Sequence, residues 1–215
     1  MSKVVSPLHV IANLHSIPSG TYRVELWAEP LRPGEEECAA ALRLLRRLRR
    51  TYGPRFFDLA VVDAWYTNGP FLKEVSQELG WPVVAVLKQE RREVAQEVRA
   101  LTAGQPPTWQ GERDDRHVEI WEVKHLRFSD GYPDPVRVLK VRERWRQREQ
   151  HGKEWVSQPQ EQNWVWVVAG DLDGYPGGVI RDLGHLRWKI ENNAFGQLTQ
   201  HWCLTHCAHH HPVAV

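Results

Sequence analysis

Two short apolar runs, the first interrupted only by Asp58, constrain this chain more than any other feature. Residues 56 to 63 and 82 to 88 lack the alternation of a half-exposed strand. Each is therefore expected to be buried on both faces, in a sheet covered by helices. The first run ends in Asp63, which places a carboxylate at the C-terminal end of a buried strand. Between the runs, residues 70 to 79 read as a helix with Pro70 at its start and Gly80 closing it. Upstream, residues 8 to 14 and 22 to 29 read as strands joined by a turn at 18 to 20, an antiparallel hairpin. Residues 35 to 51 read as a helix, with Glu35, Glu36 and Glu37 in the first turn, Leu42, Leu45 and Leu48 on one face, and arginines toward the end. Those charges complement the helix dipole. Strand, strand, helix, strand, helix, strand is the order of an α/β sheet with mixed strand directions.

Beyond residue 88 the pattern changes. A charged helix at 90 to 102 is followed by β-rich segments at 117 to 127, 136 to 145 and 163 to 170. They read as an antiparallel insertion ahead of a last helix that starts at 176 or 178 and runs to 207. The expected division is 1–90 for the sheet and helices with Asp63, 91–175 for the β-rich insertion, and 176–215 for the last helix and a His-rich tail, one domain overall.

The charge is nearly balanced, with 28 Lys and Arg against 27 Asp and Glu, so no global basic field marks a nucleic-acid binder. DNA contact would have to come from local patches. One holds Arg43, Arg46, Arg47, Arg49 and Arg50; another holds Lys140, Arg142, Arg144 and Arg146. Either is equally a solvated face. Three cysteines and no signal peptide point to the cytoplasm, and no apolar run approaches the roughly 20 residues of a membrane helix.

Within the last helix Leu183, Leu186, Ile190, Phe195 and Leu198 form an apolar face, and Arg187 and Glu191 stand one turn apart. Alone, that pair reads as decoration on a packing helix. Set against Asp63, it suggests metal-dependent phosphodiester chemistry. In-line displacement at phosphorus needs charge stabilisation on the attacking and leaving oxygens, which two divalent ions about 3.5–4 Å apart supply. Mg²⁺ or Mn²⁺ is the expected cofactor, because carboxylates on a strand end and a helix offer oxygen ligands.

Asp63 with the following Ala64 to Asn68, the run at 83 to 88, and Arg187 to Phe195 together resemble the catalytic half of DDE transposases of the IS4 type. The resemblance implies an RNase H-like mixed sheet flanked by helices with a β-rich insertion before the last helix, and DNA transposition by strand cleavage and transfer at insertion-element ends. It implies Asp63 and Glu191 as catalytic metal ligands, 128 residues apart (191 − 63). It implies Arg187 as a phosphate clamp, suited by its planar fork. In the family helix signature a Tyr precedes that Arg and a Lys follows the Glu; here Gly184 and Leu198 hold those positions. Trp65 and Tyr66 are candidates for stacking on a displaced base, against the alternative of closing the top of the sheet.

The family's first aspartate is not found. Asp58, five residues before Asp63, would fall on the opposite strand face. The expectation is a transposase portion whose first strand lies before Met1, inactive alone, working as a homodimer or with full-length transposase. The alternative is a non-enzymatic DNA-binding or regulatory remnant. In the tail, Cys203 and Cys207 with His206, His209, His210 and His211 offer zinc ligands, the lesser reading because no second paired-ligand arm exists elsewhere.

Overall fold

The computed structural model describes residues 7–16, 20–88, 93–129, 131–151 and 154–189. Strands β1 (Pro7–Ser16) and β2 (Gly20–Pro30) form an antiparallel hairpin, as expected, and a two-stranded sheet of their own. Helix α1 (Glu37–Tyr52) follows, then β3 (Ala60–Val62), a 3-10 turn (Ala64–Tyr66), and α2 (Gly69–Lys73), which widens into a π turn at Glu74–Glu78. After β4 (Val83–Val86) come α3 (Glu93–Thr102), the strands β5 (Trp109–Arg113), β6 (Arg116–Ser129), β7 (Tyr132–His151) and β8 (Glu154–Ala169), and finally α4 (Gly177–Lys189).

The main sheet has six strands in the order β3-β4-β8-β7-β6-β5. Only β3 and β4 run parallel; every other pairing is antiparallel. The β-rich block thus continues the sheet that carries Asp63, because β8 lies directly against β4. This is a mixed α/β sheet flanked by helices, an RNase H-like fold.

Two apolar layers hold it together. On one face, Leu44, Leu45 and Leu48 of α1, Phe71 and Leu72 of α2, and Val94 and Val98 of α3 pack on Val83, Ala85, Val138 and Val167. On the other, Ile180 and Leu183 of α4 pack on Val84, Val86, Ile120, Leu139, Trp166 and Val168. All four residues of β4 are buried, which is why its sequence is apolar throughout.

Three expectations need correction. The strand expected at 56 to 63 is only Ala60–Val62. Phe56 and Phe57 instead join a chain of ring contacts from Tyr52 to Trp81, and their bulk is satisfied without a ladder. Asp58 therefore lies outside β3 and belongs to neither of its faces, contrary to its expected place on the strand. The buried face of α1 centres on Ala41, Leu44, Leu45 and Leu48, with Leu42 only half-buried. The strand β5 was not expected at all; its sequence, Trp109 to Arg113, is mostly polar because it lies at the edge of the sheet.

Candidate active site

Asp63 follows β3 directly and caps the 3-10 turn, its carboxylate accepting from the Ala64 N–H at 2.7 Å. Short polar side chains favour such caps because they satisfy a backbone donor that the turn leaves open. The Thr67 hydroxyl donates to the Val86 carbonyl at 2.8 Å, fastening the far end of the turn to the end of β4. Asn68 accepts from the Phe71 N–H at 3.0 Å and starts α2. Asp63 is thereby held at the C-terminal ends of two parallel strands, where open α/β sheets commonly place ligands.

The two aromatic candidates part company. Trp65 is 68% exposed. Tyr66 packs on Phe71 and its hydroxyl donates to Glu37 at 2.5 Å. Burial and the Glu37 carboxylate both push the Tyr66 phenol well above its usual range. Tyr66 thus ties the turn to α1, the sheet-closing alternative, while Trp65 is the one presented to solvent.

Lys88, which sequence reasoning passed over as the end of an apolar run, stands 3.3 Å from Asp63 Oδ1. The signal was present. In-register pairing aligns Val61 with Val84 and Val62 with Ala85, so Asp63 and Lys88 follow on the same sheet face as Val84 and Val86.

That face belongs to α4. A cross-strand row runs through Glu122, Leu139, Trp166 and Val86. One step beyond the last β3 pair, Asp63 falls level with Val86. Helix α4 follows this row: a Cβ on Gly177 would meet Glu122, Ile120 and Leu139, whereas a Cβ on Gly184 would meet Trp166. The helix also contacts β4 and β3. At Gly184 that Cβ would lie 2.6 Å from Trp166 Nε1, so the indole occupies the room that a side chain would need. Any larger residue at 184 would have to displace that indole.

A buried ionic cluster fixes the same helix. Glu143 of β7 is fully buried and accepts from Arg181 at 2.7 Å and from Arg116 at 2.6 Å; the His185 ring is 2.7 Å away. Arg181, 2% exposed, also reaches Asp114 and Asp182. Burial pushes the Glu143 carboxyl up, but the hydrogen bonds and charges of His185 and Arg181 outweigh it and bring it to about 2. Sequence reading missed this cluster, since Glu143 sits among alternating charges that look like a solvated strand.

The Transposase DDE domain family matches residues 33–215. The chain belongs to the DDE transposases. No curated protein matches it. DDE transposases act on DNA and generally use divalent metal ions. Asp63 offers the oxygen chemistry such ions prefer. Among the described residues, however, no three Asp, Glu, His or Cys side chains converge. Arg187 lies within α4, but its side chain is outside the described residues, as are Glu191 and the Cys203 to His211 tail. Among the described residues no helix is long and apolar enough to cross a membrane.

Proposed function

We propose that this chain is the catalytic domain of an IS4-type transposase, with Asp63 and Glu191 as ligands for Mg²⁺ or Mn²⁺ and Arg187 as the clamp on a phosphate near the scissile bond. The observation that carries this is the course of α4 along the row ending at Asp63. Gly184 rests on Trp166, two strands from Asp63, which is about 9.6 Å at the usual spacing. The described helix ends at Lys189; were it to continue, the seven residues from 184 to 191 would advance about 10.5 Å. A helix that holds its line would bring Glu191 over the end of β3. Arg187, three residues past Gly184, falls on the same stripe. Bound there, divalent ions would stabilise charge on the attacking and leaving oxygens. Trp65 is the aromatic available for a displaced base at an insertion-element end.

The domain is inactive alone in this reading. Two carboxylates hold Mg²⁺ poorly, and this reading takes the family's first aspartate from a further strand. The sheet has room for another strand. Leu59 and Val61 pack toward one layer and Ala60 and Val62 toward the other, yet all are half-exposed beside the buried β4. Solvent reaches both faces of β3 along its edge, which a further strand would cover. A homodimer or an assembly with full-length transposase would supply it.

Lys88 supports a second reading, a DNA-binding or regulatory remnant, because an ammonium beside Asp63 competes with a metal ion. A Mn²⁺ titration of the chain and its Asp63→Ala and Glu191→Ala variants separates the two. Binding weakened in both variants is the expected result; absence of specific binding in the parent would leave the remnant.

A further inference from the structure

The strands β7 and β8 outrun the sheet. Pairing of β6 with β7 ends at His117 and Arg144, whereas β7 and β8 stay paired for seven more rungs, from Trp145 and Gln160 to His151 and Glu154. At about 3.4 Å per residue this is a two-stranded ribbon some 20 Å long.

Its two faces differ in charge. Lys140, Arg142, Arg144, Arg146 and Arg148 occupy alternate positions of β7 and therefore one face, a row spanning about 27 Å. At the root the row is partly compensated: Arg142 and Arg144 both bond Glu119, at 2.7 and 2.6 Å, and Glu161 stands opposite Arg144. Farther out it is not. Arg146 hydrogen-bonds the hydroxyl and carbonyl of Ser157, and no carboxylate pairs with Arg146 or Arg148 among the described residues. Their partners across the ribbon are Pro159 and Ser157, and Trp155, 66% exposed, completes this face opposite Gln150. The ribbon's own carboxylates, Glu149 and Glu154, fall at the alternate register positions. Arg144 and Arg146 also border an open cleft of about 340 Å³ at the ribbon's root.

Three arginines of the other basic cluster are engaged by carboxylates. Arg43 bonds Glu29 and Glu35, Arg46 bonds Glu74, and Arg47 lies 3.9 Å from Glu29.

We propose that the arginine face of the β7–β8 ribbon docks on the phosphate backbone of duplex DNA, independently of sequence and apart from the Asp63 site. A cationic row with an aromatic at its tip suits a polyanion that also offers apolar sugar and base surface. A two-stranded ribbon has the width that a major groove admits. The row lies on the sheet face opposite α4, since even-numbered β7 residues share the side of Val138 whereas Leu139 and Val141 pack with α4. If the scissile bond lies on the Asp63 face, DNA held on the ribbon is flanking or target duplex. This rests on the chain acting on DNA, not on Asp63 and Glu191 being catalytic.

The test is the salt dependence of binding to a random-sequence duplex of about 30 base pairs, in EDTA so that metal chemistry does not enter. Each phosphate contact contributes about 0.9 to the slope of log affinity against log salt. Arg146→Gln with Arg148→Gln should lower the slope by about 1.8 and weaken binding at least tenfold. Arg146→Lys with Arg148→Lys should keep the slope, because counterion release follows charge rather than shape. Arg50→Gln, on α1, should keep it as well. An unchanged slope in the glutamine pair, an equal fall in Arg50→Gln, or no duplex binding by the parent at low salt would each overturn the proposal. Loss of Mn²⁺ binding in the separate titration would leave it standing.

Discussion

Replacing Glu143 by Gln tests whether a buried ionic cluster holds α4 on the sheet. The carboxylate is completely buried, and the guanidinium groups of Arg116 and Arg181 and the ring of His185 converge on it at 2.6 to 2.7 Å. Glutamine keeps the shape but leaves Arg181 and Arg116 in a low-dielectric site without their counter-charge. Breaking a buried pair in this way costs about 3–5 kcal/mol. For a chain of this size that lowers Tm by roughly 6 to 20 °C. The pH dependence gives an independent estimate. The Glu143 carboxyl falls from 4.5 to about 2 on folding. A shift of that size corresponds to about 3 kcal/mol. Because the folded value is the lower one, the contribution is fully present above about pH 5 and is lost as pH falls toward 2. Urea unfolding of parent and variant from pH 7 to 2.5 reads both quantities. Other carboxylates titrate in both proteins, so the difference between the two curves isolates Glu143. It should exceed about 3 kcal/mol at pH 7 and close as the pH approaches 2. A difference below about 1 kcal/mol, or one that stays constant with pH, would refute the reasoning.

Gly184→Ala should destabilise by about 1–3 kcal/mol through the clash with Trp166, despite a helix-propensity gain of about 1 kcal/mol. Trp166→Phe in the same chain should return part of the loss, and equal losses in both backgrounds on urea unfolding would show that the indole is not the cause. Lys88→Met should tighten Mn²⁺ binding, by about fivefold at most given that the Lys88 side chain is 60% exposed, and weaker binding by calorimetry would mean that Lys88 helps the site instead. Tyr66→Phe should cost about 1–2 kcal/mol by losing the bond to Glu37, while Trp65→Ala should stay within about 0.5 kcal/mol. Thermal melts giving the reverse order would exchange the roles of the two aromatics.

The strand and helix order was legible in the sequence because periodicity and turn residues report on neighbours one to four positions apart. Val83–Val86 reads as a doubly buried strand, Asp63 as a strand-end carboxylate, and the charged first and last turns of α1 as helix ends. The overrun of β7 and β8 was not legible: beyond Arg144 neither face of the ribbon carries a continuous apolar row, and only its partner strand shows that it is paired.

The sequence by itself determined an alternation of apolar strands and amphipathic helices, and with it the α/β class and the carboxylate candidates. Tertiary structure decided which distant residues share a row. Trp166 aligns with Val86 across 80 residues of chain (166 − 86) because β8 docks on β4, and that register is chosen by packing on both sheet faces. Packing of α4 turns Glu143 from an apparent surface charge into a buried anchor, and the β3–β4 register sets Lys88 beside Asp63. A one-residue slip of β8 would reverse every face, so the geometry of the candidate site is a property of the assembled sheet and not of any local motif.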